Sequence, residues 1–159
     1  MRGRRVAFIA TAEAGDEEMR QRITRHREER PAAWATIEAP LALEEALLEC
    51  GHNFDTILVD CLTVWTANVM QNQSQEQVVA LADRLASTLR SMSASVILVS
   101  NEVGSGIVPD NELGRAYRDL LGAVNQRVAA AADEVVLLVA GCPLLVKQPI
   151  VRQPAEALA

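Results

Sequence analysis

Lysine is almost missing from this chain: of its 15 lysine and arginine residues only Lys147 is a lysine, in Gly141-Cys-Pro-Leu-Leu-Val-Lys147. No glycine precedes it and no serine or threonine follows it, so residues 1–159 hold no Gly-x-x-x-x-Gly-Lys-Ser/Thr phosphate loop. Cysteine is scarce too. Cys50, Cys61 and Cys142 are odd in number and never fall as Cys-x-x-Cys, which excludes a disulfide framework and a zinc-ribbon pattern and fits a reducing cytosol. Long apolar runs are absent: after the basic start Met1-Arg-Gly-Arg-Arg5 the run Val6 to Ala10 is too short for a signal peptide or a span, so no membrane insertion is expected. An excess of basic charge is also lacking. The net charge of -6 argues against general nucleic-acid binding and favours small-molecule chemistry.

What is present reads as one α/β domain. Half of the 159 residues are hydrophobic, enough for one substantial core. Val6-Ala-Phe-Ile9, Ile57-Leu-Val59, Val96-Ile-Leu-Val99 and Val135-Val-Leu-Leu-Val139 read as buried strands of a mostly parallel sheet. A weaker strand is placed at Trp34 to Glu38, and another at Leu144 to Lys147 after a turn at Gly141-Cys-Pro143. Val78, Leu81, Ala82, Leu85, Leu89 and Met92 share one helical face, and Leu113, Ala116, Tyr117, Leu120, Leu121, Val124 and Val128 another. The domain is set at residues 1–147; the tail, 148–159, carries prolines and few large apolar residues and is expected to be loosely held.

Polar residues collect where strands end, the functional edge of an open α/β sheet. Thr11 follows the first strand, Asp60 the second, and Asn101 and Glu102 the third. Val96 to Val99, read as covered on both faces, runs into a loop hinged at Gly104 and Gly106 and closed by Pro109, Asp110 and a helix cap at Asn111. An acid directly after an apolar strand is how phosphate-transfer enzymes hold magnesium or its water, and it is equally a turn former or helix cap.

The segment from Gly15 to Pro31 reads as a helix with acids at its start, arginines in its last turn and a proline stop. Met19, Ile23, His26 and Arg30 are four, three and four residues apart, which puts His26 on the face turned toward the body of the protein. Arg25, Arg27 and Arg30 surround it, and arginine forks suit phosphate oxygens. The same run, interleaved with Glu28 and Glu29, is also what a solvated charged helix looks like. Beside so many cations a histidine tends to stay neutral, and a neutral imidazole can act as nucleophile or base. His52, in Cys50-Gly-His-Asn53, reads as a turn residue with a structural role.

Six stretches carry a family resemblance: Phe8-Ile-Ala-Thr11, Asp16-Glu-Glu-Met19, Arg22-Ile-Thr-Arg-His-Arg-Glu-Glu-Arg-Pro31, Ile57-Leu-Val-Asp-Cys-Leu-Thr63, Asn101-Glu-Val-Gly-Ser-Gly-Ile-Val-Pro109 and Val124-Asn-Gln-Arg-Val-Ala-Ala-Ala-Ala-Asp133. Together they resemble the bifunctional adenosylcobinamide kinase and adenosylcobinamide-phosphate guanylyltransferase family of cobalamin biosynthesis. The resemblance implies a RecA-like P-loop NTPase fold in a cytoplasmic homo-oligomer. It implies phosphorylation of adenosylcobinamide from GTP or ATP, then transfer of GMP from GTP to adenosylcobinamide phosphate through a guanylated histidine, His26 by position. It also implies nucleotide contacts at Ala10, Thr11, Ala12, Arg27, Glu28, Glu29, Arg30, Glu38 and Asp60, with magnesium at Asp60. Against the family pattern the chain opens at the second strand, without the first strand, the glycine-rich phosphate loop or the first helix. Two expectations follow: an enzyme whose activity draws on an upstream phosphate loop, or a non-catalytic pseudoenzyme that serves as a binding or assembly module.

Overall fold

The computed structural model describes residues 5–148. Its centre is a four-stranded parallel sheet in the order β2-β1-β3-β4, formed by β1 (Val6–Ala10), β2 (Ala35–Glu38), β3 (Thr56–Asp60) and β4 (Ser95–Val99). Helices make the crossovers: α1 (Glu17–Glu28), α2 (Leu43–Asn53), and the pair α3 (Leu62–Val69) and α4 (Gln75–Ser91). The long α5 (Glu112–Ala131) leads into an antiparallel hairpin of β5 (Val135–Val139) and β6 (Cys142–Lys147), which pairs with no strand of the main sheet. No described helix is long and apolar enough to cross a membrane.

The two faces of the sheet differ. Ala7, Ile9, Ile57 and Val59 point into a core closed by Leu43, Leu47, Trp65, Val78, Leu85 and Val124 from α2 to α5. Side chains alternate along a strand, so Phe8, Leu58, Ile97, Ala10, Asp60 and Val99 share the other face. Ile97 is 55% exposed and Val99 40%. The expectation that Val96 to Val99 is covered on both faces is therefore corrected: among the described residues β4 is an edge strand, half-buried on the helix side and exposed on the other. The segment Val135 to Val139 is likewise a strand but not a buried one, because the hairpin stands apart from the sheet and leaves Leu138 68% exposed.

Helix ends obey local chemistry. Asp16 caps α1 by accepting from Met19 N at 2.7 Å, and Glu17, Glu18 and the basic last turn suit the helix dipole. Ser74 and Gln77 form a capping box on α4, and Asn111 caps α5 through Gly114 N as expected. The single lysine has its own use: the Lys147 ammonium donates to the carbonyls of Ala129, Ala130 and Ala132 and closes the C-terminus of α5. The hairpin turns at Ala140 and Gly141, both with positive φ, one residue earlier than Gly141-Cys-Pro143 suggested. His52 lies in the last turn of α2 rather than in a turn, since Cys50 continues the buried stripe of Leu43, Ala46 and Leu47.

Candidate functional site

The topology itself marks a place. The chain runs outward from β1 to β2 and outward the other way from β3 to β4, so the sheet reverses its direction of growth between β1 and β3. The crevice beyond the carboxyl ends of two such strands is where open α/β sheets bind ligands. Here those ends are Ala10-Thr11 and Asp60-Cys61.

One small network fixes this crevice. The Thr11 hydroxyl donates to Cys61 O at 2.8 Å and accepts from Cys61 N at 2.9 Å, while Thr11 N donates to Asp60 O at 3.1 Å. The Asn68 amide, on α3, donates to Thr11 O at 2.8 Å and to Pro40 O at 3.2 Å, tying in the loop after β2. Trp65 Nε1 adds a bond to Leu41 O at 3.0 Å. Three strand ends are thus set by one short helix. Thr11 is fully buried and its amide, carbonyl and hydroxyl are all bonded internally, whereas its neighbours Ala10 and Ala12 are half-buried.

On the face turned away from α2 to α5 the register places Glu38, Ala10 and Asp60 in one row across β2, β1 and β3. Two strand spacings separate the carboxylates, about 10 Å, with only the alanine methyl between them. Arg27 reaches Glu38 at 3.2 Å. Arg30 lies over the Phe8 ring, its Cζ 3.5 Å from the centroid, and donates to Thr36 Oγ1 at 3.3 Å. Burial pulls the Arg30 guanidinium below its ordinary value, Asp60 opposes this, Arg27 adds to it, and Glu38 opposes it. An arginine remains charged at neutral pH regardless. Its Nε is buried with no partner.

The arginine helix departs from the expected orientation. His26 is exposed, as are Glu28 and Glu29, and none of the three side chains makes a hydrogen bond or ion pair among the described residues. No residue of α1 is buried, because Met19 and Ile23 are its only large apolar side chains and even these are only half-covered. The histidine therefore faces solvent rather than the body of the domain. The structure brings together Ala10, Arg27, Arg30, Glu38 and Asp60, and leaves His26, Glu28 and Glu29 at the helix end beside them in sequence.

The loop after β4 is held as tightly as the crevice. Asn101 N donates to Thr63 Oγ1 at 2.9 Å, Asn125 Nδ2 to Asn101 O at 3.0 Å, and Arg118 to Gly104 O at 2.6 Å. Arg115 holds Pro109 O and Asp110 O, and Tyr117 bonds Thr63 O at 3.1 Å. Glu102 turns back on Gly104 N at 2.6 Å, and a Cβ at Gly104 would meet that carboxylate oxygen at the same distance. The glycine there serves a close turn.

Sequence reasoning overlooked Asn68 and Phe8 as parts of the site. A lone amide within the otherwise apolar run of α3 was the available signal for Asn68; for Phe8 there was none, since an aromatic in a strand reads as core. Among the described residues no three His, Cys, Asp or Glu side chains cluster closely enough to hold a metal ion by themselves.

A parallel α/β sheet with acids and arginines at a topological switch point defines a class compatible with the P-loop NTPase-like fold. The chain belongs to the CobU family, cobinamide kinase / cobinamide phosphate guanyltransferase, whose pattern matches residues 1–146. Among its relatives is the bifunctional adenosylcobalamin biosynthesis protein CobP of Pseudomonas aeruginosa, 41% identical over 145 residues that cover 91% of this chain and 84% of that protein. The CobU proteins of Salmonella typhimurium and Escherichia coli, named as bifunctional adenosylcobalamin biosynthesis proteins, are 39% and 37% identical, each over 89% of this chain and 86% of their own length.

Proposed function

We propose that this chain works in cobalamin biosynthesis, using GTP first to phosphorylate adenosylcobinamide and then to transfer GMP to adenosylcobinamide phosphate through His26. The observation that carries the reading is the row Glu38-Ala10-Asp60, with Arg27 on Glu38 and Arg30 over Phe8 one row behind, next in sequence to the histidine of the arginine helix. A floor between two carboxylates, with two guanidinium groups beside it, has the charge pattern for a polyphosphate carried with a divalent cation.

The chemistry balances in two displacements. The lone pair of a neutral His26 nitrogen attacks the α-phosphorus of GTP, a P–N bond forms, the bond to the β-phosphate oxygen breaks, and pyrophosphate leaves. A phosphate oxygen of adenosylcobinamide phosphate then attacks the same phosphorus, the P–N bond breaks, and adenosylcobinamide-GDP is released. An exposed imidazole suits both halves, since it must meet two large substrates in turn. Arg27 and Arg30 stabilise charge on the phosphate oxygens as it develops. Glu28 and Glu29 flank the nucleotide, and Ala10 and Ala12 line its edge on either side of the enclosed Thr11.

Asp60 fits magnesium. It is half-buried at the strand end, and its carboxylate has no hydrogen-bond partner among the described residues, the single-carboxylate setting in which magnesium keeps water and substrate phosphates as its other ligands. The ion would supply charge neutralisation on the polyphosphate.

A second reading is a non-catalytic binding module, favoured by one feature: His26 is exposed and its side chain has no hydrogen-bond partner among the described residues to orient it for attack. Calorimetry with GTP and magnesium, paired with intact mass after incubation, separates the two. Binding with a GMP adduct supports the enzyme; tight binding without any adduct supports the module.

A further inference from the structure

We propose that Phe8 is a positioning residue of this site: its ring is the platform that holds the Arg30 guanidinium ready for a phosphoryl oxygen of the nucleotide. The inference rests on the reading of the sheet face turned away from α2 to α5 as a nucleotide site.

Phe8 is only 6% exposed, yet it lies outside the helix-packed core, because its side chain points to the face that α2 to α5 leave uncovered. Arg30 is stacked over its ring. A large ring on a bare sheet face would ordinarily be poorly placed, and a cation stacked on it is favoured by the ring's quadrupole and by the weak hydration of guanidinium. Thr36, the β2 partner of Phe8 in the register, takes one hydrogen bond from the side. Ring and hydroxyl together fix both the plane and the rotation of the fork.

The consequence is an uncommitted cation. Phe8 stands two residues before Ala10, so the guanidinium rests one row, about 7 Å, behind Glu38 and Asp60. Arg30 forms no ion pair within 4 Å among the described residues, although both carboxylates are near enough to influence it, and the pairing role with Glu38 falls to Arg27. Without the platform the flexible side chain would be free to collapse onto Asp60 or Glu38. With it, the terminal donors that Thr36 does not take stay available to an anion, and the fork shape matches two phosphoryl oxygens.

The test is a double-mutant cycle read by calorimetry with GTP and magnesium, on wild type, Phe8→Leu, Arg30→Ala and the double variant. Leucine keeps apolar volume and removes the ring. Phe8→Leu is expected to weaken GTP binding about five- to tenfold in the wild-type background and not at all in Arg30→Ala, while Phe8→Tyr binds as wild type. Equal affinity for wild type and Phe8→Leu, or an equal loss in both backgrounds, overturns the positioning role and leaves the nucleotide site standing. Unchanged affinity in Arg30→Ala, or no GTP binding by wild type, overturns the reading of the face and the inference with it. Should Phe8→Leu fail to fold, fluorinated phenylalanines at position 8 keep the shape and drain the ring's quadrupole. Affinity falling stepwise with fluorine count supports the platform, and affinity independent of it refutes it.

Discussion

Thr11 and Cys61 are joined twice through one hydroxyl, which donates to the cysteine carbonyl and accepts from its amide. The pair couples the end of β1 to the first residue after Asp60, so the acid's place at the crevice depends on a threonine distant in sequence, fifty residues before Cys61. Thr11→Val keeps the shape and removes both bonds, leaving the part-buried Cys61 amide unsatisfied, while Cys61 O keeps its bond from Trp65 N. The expected cost is about 1 to 3 kcal/mol in urea unfolding, with Thr11→Ser nearly neutral. A valine variant as stable as wild type would mean that the network is not needed.

Asn68 reaches two carbonyls from two loops with one amide nitrogen. Asn68→Leu is expected to lose about 1 to 3 kcal/mol of stability and, by loosening Thr11 and Pro40, to raise the KM for GTP more than it lowers kcat. Steady-state kinetics checks the split. A pure kcat effect would contradict a role in shaping the binding edge.

Burial, and then the charge of Glu49, pushes the Cys50 thiol up, and burial followed by Cys61 does the same to the Tyr117 phenol. Both groups hold their protons more tightly folded than unfolded. Their contribution is therefore fully present below the unfolded values, about 8.5 and 10, and is lost as pH rises through the folded values. Denaturation midpoints are expected to decline on the alkaline side, and Cys50→Ala to flatten the first part of that decline. In the native protein iodoacetamide should label exposed Cys142 first and buried Cys50 last.

Much of this architecture is legible in the residues. The strand at Ile57 to Val59 and its terminal acid follow from a short apolar run, and the α4 and α5 stripes from helical spacing with clear caps. The face that each strand presents is not legible, because Val96 to Val99 and Val135 to Val139 have the composition of buried strands whether or not a neighbour covers them. His26 was misplaced for a related reason: spacing names a common helix face, but two half-buried apolar residues are too few to hold that face against the domain. The Phe8 and Arg30 stack joins residues 22 apart and leaves no periodic trace.

The bare aliphatic residues of β4 make a further prediction. Ile97 sits on an unpaired edge strand that, among the described residues, carries no charge or proline to discourage edge pairing. Ile97→Lys is expected to change monomer stability by no more than about 0.5 kcal/mol and to reduce concentration-dependent light scattering. Greater scattering in the lysine variant would show that this edge does not drive association.

The most direct test of the account is intact-protein mass after incubation with GTP and magnesium, followed by acid treatment. Wild type is expected to carry a GMP adduct that acid removes, as a phosphoramidate requires, and His26→Ala to carry none. An adduct of equal extent on His26→Ala, or none on wild type under conditions where GTP is bound, would contradict the assignment of His26 as the guanylated nucleophile.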